Sequence, residues 1–166
     1  MARAGKISGF TLVELLLVMV ILATIAALAT PALRGFNRSR LLPNTAQELV
    51  TTARWCQIQA ISEGLTYRLN FDAGAGTWYV TKDDGTGINF SPVATSLVPE
   101  VFTLPEGISM EPVIPQAKDG GVYISFDPGG RCDLGSITLR SESVAVVITC
   151  DTPMGSYYVV KAAGGG

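Results

Sequence analysis

The sequence predicts an α+β protein, with one long amino-terminal helix packed on a carboxy-terminal antiparallel β-sheet or β-sandwich head. Three observations support this. The run Leu15–Leu33 holds 19 residues without a charge. Leu42, Ala46, Leu49, Ala53, Cys56 and Ala60 then recur at intervals of three and four, the spacing of one helix face. From Thr66 onward the period changes to two, and glycine- and proline-rich turns punctuate the chain. With 166 residues, one globular domain plus the apolar segment accounts for the length.

At 1.5 Å per residue the apolar run reaches about 28 Å as a helix, roughly the thickness of a bilayer core. Glu14 stands at its head. An acid at the centre of a membrane helix costs about 2.5–3.5 kcal/mol, and in the first turn the helix dipole reduces that cost. The residues alone leave three readings open: a membrane anchor, a secretory signal peptide, and a buried soluble helix. Arg3 and Lys6 supply a basic start, and Ala27-Leu28-Ala29 matches a small-x-small cleavage site. Orientation is not readable from charge, because Arg34, Arg38 and Arg40 flank the other end. Pro31 removes one helical hydrogen bond and Gly35 weakens the next turn, which predicts a kink or loosening between them.

Pro43 disfavours helix at Leu42, and Thr45-Ala46-Gln47-Glu48 reads as a capping box. A second helical segment is therefore expected from about Thr45 to Ser62, with Glu63-Gly64 ending it. Val50 and Ile61 widen its apolar stripe, while Gln47, Thr51, Arg54 and Gln57 decorate other faces. The stripe is expected to lie against the sheet of the head.

Tyr67, Leu69 and Phe71 alternate with Arg68 and Asn70, and Asp72 to Gly76 turns the chain into Thr77–Thr81. Lys82 to Gly87 forms another turn. Short strands are expected at 100–104 and 108–111, then at Val122–Phe126, Ser136–Arg140, Val144–Cys150 and Tyr157–Ala162. Asp127-Pro128-Gly129-Gly130 separates two of them. Gly164-Gly165-Gly166 reads as a flexible end.

The composition carries little catalytic chemistry. There is no histidine, so a Ser-His-Asp triad and His-ligated metals are excluded. The glycines sit in turns and form no phosphate-cradling loop. Asp83-Asp84-Gly85 reads as a surface turn, because the later ligands of a calcium loop are missing. From Leu65 onward six basic residues face eleven acidic ones, so the head is net −5, which disfavours nucleic-acid binding. No enzyme activity, metal or cofactor is expected. Cys56 falls on the helical stripe and reads as a small buried apolar residue.

Lys6-Ile7-Ser8-Gly9-Phe10-Thr11-Leu12-Val13-Glu14-Leu15-Leu16 resembles the class III signal of type IV pilins and pseudopilins. The resemblance implies a leader at 1–9, a transmembrane assembly helix at 10–33, its periplasmic amphipathic continuation at 34–64, and a β-rich head at 65–166. It implies that a prepilin peptidase/methyltransferase cuts between Gly9 and Phe10 and N-methylates Phe10. It further implies an assembly ion pair between Glu14 and the Phe10 amine of a neighbouring subunit. Other pilin subunits and an inner-membrane assembly platform are the implied partners. The implied location is the bacterial inner membrane, spanned once, with the head in the periplasm and the subunit built into a filament. Pro31 sits where such helices commonly carry a proline.

The order of helix then β head, with Tyr123-Ile124-Ser125-Phe126-Asp127-Pro128-Gly129-Gly130 late in the chain, is similar to the GspH/FimT group of minor pseudopilins. Retention of Glu14 argues against the tip-most subunit, which typically lacks that acid. Some FimT-like members bind DNA through a basic motif, but Cys150–Ser156 here holds no arginine. In a compartment that permits disulfides, Cys132 and Cys150 are expected to pair. Two other readings remain: a pilin that captures DNA or a surface, and an ordinary exported β-domain cleaved after Ala29.

Overall fold

In the computed structural model the described residues are 11–96, 98–115, 121–142 and 144–161, with the side chains of 28–39 and 161 excepted. The chain divides into two compact units, Met1–Ser39 and Arg40–Gly166. One helix, α1, is continuous over Leu12–Glu63.

This continuity corrects the expected helix boundary before Thr45. Pro43 forfeits only its own N–H bond, and the burial of Leu42, Ala46 and Leu49 on the same face offsets that loss. Thr45 is not a cap: its hydroxyl donates back to the Leu41 carbonyl at 2.9 Å, as a mid-helix threonine does. The end of α1 falls where expected. Gly64 takes a φ of 68° and its N–H bonds the Ala60 carbonyl at 3.0 Å, closing the last turn in a left-handed cap that a side chain would strain.

The strands are β1 (Tyr67–Asp72), β2 (Thr77–Asp83), β3 (Phe90–Pro92), β4 (Phe102–Thr103), β5 (Ser109–Val113), β6 (Val122–Phe126), β7 (Gly135–Arg140), β8 (Ala145–Cys150) and β9 (Tyr158–Lys161). They form two antiparallel sheets. One has the order β3-β2-β1-β6, with β4 also pairing β2, and the other has the order β5-β7-β8-β9. Only β3 was not foreseen, because it is short and contains Pro92. The proline is tolerated because β3 lies at a sheet edge.

Register follows burial. Leu69 stands opposite Val80 and Ile124, and Phe71 opposite Trp78, so one face of the first sheet is apolar. Trp78 stacks on Phe102 with ring centroids 5.0 Å apart. The second sheet contributes Ile137, Leu139, Val146 and Ile148 to the same buried cluster as the stripe of α1. Every residue of the predicted stripe from Leu42 to Ala60 is buried. Ile61 is a correction: it is exposed, because at the end of the helix its face turns away from the sheet.

Candidate functional site

Two regions carry the chemistry of the chain. The first is the start of α1. Thr11 precedes the helix, and its hydroxyl oxygen accepts the Glu14 N–H at 3.3 Å. Thr11-Leu12-Val13-Glu14 is therefore the Ser/Thr-x-x-Glu signature of a helix start. Sequence reasoning weighed only the charge of Glu14 and passed over Thr11 as the cap. The Glu14 carboxylate is exposed and has no hydrogen-bond or ion-pair partner among the described residues.

Beyond it the large apolar side chains from Leu12 to Ile25 are all exposed, between 43% and 81%. A helix that is apolar all round requires an apolar surrounding, either lipid or other helices. Among the described residues no helix is long and apolar enough to cross a membrane. The described side chains stop at Ala27, while the uncharged run continues in sequence to Leu33. Gly9 and Phe10 lie outside the described residues, as does the 162–166 tail. Pro31 and Gly35 fall within α1, and their side chains lie outside the described residues.

The second region is a seam between α1 and two loops of the head. Cys132 and Cys150 are both buried, with their sulfurs 3.3 Å apart, and neither is bonded to the other. The Cys132 N–H bonds the Pro153 carbonyl at 2.7 Å, and the Cys150 thiol bonds the Thr152 carbonyl at 3.1 Å. Burial, reinforced by the adjacent Cys150 sulfur, pushes the Cys132 thiol from 9.0 up to about 12. Burial likewise raises Cys56 and Tyr157. The Tyr157 hydroxyl donates to the Asp133 carbonyl at 2.6 Å, fixing the return of the chain into β9.

Gln57 holds this seam to the helix. Its amide nitrogen donates to the carbonyls of Gly130 at 2.8 Å and Gly155 at 3.0 Å, and its oxygen accepts the Ser156 hydroxyl at 3.0 Å. Gln57 lies off the apolar stripe as expected, and it also ties the helix to two loops. No periodicity could have found it, because its partners are 73 and 98 residues away.

Asp83 and Asp84 serve the turn after β2. Asp83 accepts the Gly87 N–H at 2.9 Å, and Asp84 accepts both the N–H and the hydroxyl of Thr86. These bonds hold the Asp84 carboxyl below its usual range, the hydroxyl contributing most. Among the described residues no cluster of three His, Cys, Asp or Glu side chains could hold a metal.

The profile described as "Prokaryotic N-terminal methylation motif" matches residues 5–30, and that of "Type II transport protein GspH" matches residues 45–153. A comparison with curated protein sequences gives no match. Among solved structures, the minor pseudopilin EpsH of the type 2 secretion system of Vibrio cholerae superposes with a TM-score of 0.61 at 10% identity, over 73% of this chain and 97% of that one. The type IV minor pilin FimU of Pseudomonas aeruginosa superposes with a TM-score of 0.54 at 9% identity, over 77% of this chain and 92% of that one. At these identities the likeness is one of fold.

Proposed function

Because the chain belongs to the GspH family of type II transport proteins, we propose that it is a minor pseudopilin or pilin, a structural subunit whose product is filament assembly. The observation that carries this reading is the unpartnered carboxylate of Glu14 at the start of a helix whose large apolar side chains from Leu12 to Ile25 are all exposed.

A prepilin peptidase/methyltransferase cuts after Gly9, and the N-methylated Phe10 amine becomes the new terminus. Its reference pKa of about 7.7–8.0 leaves it largely cationic at neutral pH. Within a bundle of apolar helices that amine and the Glu14 of a neighbouring subunit satisfy each other. At 4 Å the attraction is about 4 kcal/mol for an effective dielectric of 20, before desolvation is subtracted. Selection of axial register is the best-attested use of such a buried pair, and it is the use proposed for this one.

The segment 10–33 anchors the subunit in the inner membrane before assembly, with the assembly platform below and the head of 65–166 in the periplasm. The segment 34–64 is the amphipathic continuation of the helix. Pro31 and Gly35 give α1 a bend within the filament. The subunit performs no catalysis and takes no cofactor. Cys132 and Cys150 close a disulfide once the head reaches an oxidising compartment.

Filament pull-down of the full chain tests the central claim. Glu14→Ala and Glu14→Gln are expected to leave the filament fraction while remaining in the membrane, and incorporation at the level of the unsubstituted chain would refute the role. Amino-terminal sequencing is expected to find N-methylated Phe10, whereas Thr30 would identify an ordinary exported domain.

A further inference from the structure

Arg68 stands in β1 on the face of the first sheet turned away from the core, because its neighbours Tyr67 and Leu69 are the buried ones. Strand register brings Thr81, Ser125, Asn70 and Tyr123 to that same face. Phe90 joins them from β3 through its pairing with Asp83.

Two rings close on the Arg68 guanidinium. Its Cζ lies 3.5 Å from the centroid of Phe90 and 4.3 Å from that of Tyr123. Both are well inside the range of a cation–π contact, about 6 Å. In the order β3-β2-β1-β6, Phe90 reaches across β2, where Thr81 is small enough to lie beneath it. Tyr123 approaches from β6 on the other side of β1.

The clamped group finds no acceptor. Arg68 Nε is buried without a hydrogen-bond partner, and Arg68 enters no ion pair among the described residues. Asp83 is the acid on this face of β2, but both of its carboxylate oxygens accept the Gly87 N–H, at 2.9 and 3.1 Å. The Asn70 amide beside Arg68 gives its N–H groups to the Tyr79 carbonyl and the Thr81 hydroxyl. Rings pressed against the guanidinium, with Nε sealed, leave the charge in contact with water only along its Nη edge. A cation held that way attracts an anion more strongly than a fully hydrated one. The clamp also fixes the plane of the fork, so little freedom is lost when a ligand docks.

We propose that Arg68, clamped by Phe90 and Tyr123 on the outer face of the first sheet, is a recognition site for a carboxylate. A planar carboxylate meets the Nη edge with two parallel N–H···O bonds. A dianionic phosphate would also fit the fork, but a head of net −5 opposes it more than it opposes a monoanion. The carboxylate belongs either to an acidic side chain or to a chain terminus. The inference goes beyond the subunit reading and does not depend on it.

Proton NMR of the Phe90 and Tyr123 rings, in the full chain held in detergent micelles, tests the site. The probes are N-acetylglutamate α-amide for a side-chain carboxylate, N-acetylglycine for a terminus, N-acetylglutamine amide as the neutral control, and inorganic phosphate. Expected is a saturable shift with at least one carboxylate, the tighter of the two naming the source, and none with the neutral control. Arg68→Lys keeps the charge but loses the fork, and is expected to weaken binding about tenfold. Phe90→Leu loosens the clamp and is expected to weaken it as well, while Arg131→Lys leaves it unchanged. Near-UV circular dichroism verifies that each variant keeps its fold. A shift matched by sodium chloride at equal ionic strength, phosphate binding tighter than either carboxylate, or carboxylate binding indifferent to Arg68→Lys would overturn the proposal. A purely packing role for Arg68 would alter the melting temperature of Arg68→Lys and give no saturable shift in the unsubstituted chain.

Discussion

The sulfurs of Cys132 and Cys150 lie 3.3 Å apart in a buried seam that joins the turn after β6 to the end of β8. A disulfide needs about 2.0 Å between sulfurs, so the two sulfurs must approach by over 1 Å to close the bond. The loop it would close spans 18 residues. The seam also fixes the 152–156 loop against α1 through Gln57, so the redox state of the pair bears on how firmly that loop is held.

Exposure of the full chain to an oxidising buffer is expected to remove two thiol protons and leave one alkylatable cysteine, Cys56, after denaturation. The bond is expected to add about 3 kcal/mol of stability relative to the dithiol form in the chain-entropy account. Intact mass after alkylation without reductant checks it. Three labelled cysteines in protein prepared from the periplasm would contradict the pairing.

The dithiol form is expected to lose stability at alkaline pH faster than the disulfide form. Below the ordinary thiol value of 9.0 both the folded and unfolded chains keep the Cys132 proton, and this contribution is fully present. Above it the unfolded chain ionises first, so stability falls until the folded value of about 12 is passed. The disulfide has no such proton. Urea midpoints of the two forms, measured near neutrality and at about pH 10.5, should therefore diverge at the higher pH.

Gln57→Leu removes three hydrogen bonds of the side chain and leaves the Gly130 carbonyl beneath an apolar group. A loss of about 1–3 kcal/mol is expected, larger than for a surface glutamine on the same helix such as Gln47. Thermal unfolding of both variants in detergent provides the comparison. Equal midpoints would mean that the loops hold themselves.

Trp78 is fully buried and stacked on Phe102, yet its indole N–H finds no acceptor among the described residues. Trp78→Phe is expected to cost far less than the about 3–5 kcal/mol of Trp78→Ala, because it also removes an unsatisfied donor. Denaturant titration separates the two. A similar cost for both would show that the indole nitrogen is satisfied in solution.

Gly135 begins β7, and a Cβ built there would stand 2.8 Å from the Val113 carbonyl oxygen. Gly135→Ala is expected to push β5 from β7 and destabilise the head by about 1–3 kcal/mol. Hydrogen exchange should report it as faster exchange confined to the β5–β7 pairing, and uniform protection would exclude the clash.

Periodicity alone located α1, its buried stripe and most strands, because burial on one face imposes periods of 3.6 and 2 that any window of the chain displays. Glycine chemistry located the stop at Gly64 and the turn at Gly130 for the same local reason. The N-terminal methylation motif over residues 5–30 was legible because it is one contiguous segment. Folding decided the rest. Pro43 did not break α1, since packing of Leu42 and Ala46 outweighed one missing hydrogen bond. Ile61 turned outward, and Gln57 became a tie between two loops distant in sequence. The nearness of Cys132 to Cys150 depends on which strand lies beside which. That order is set by contacts across the whole core, and no short stretch of residues encodes it.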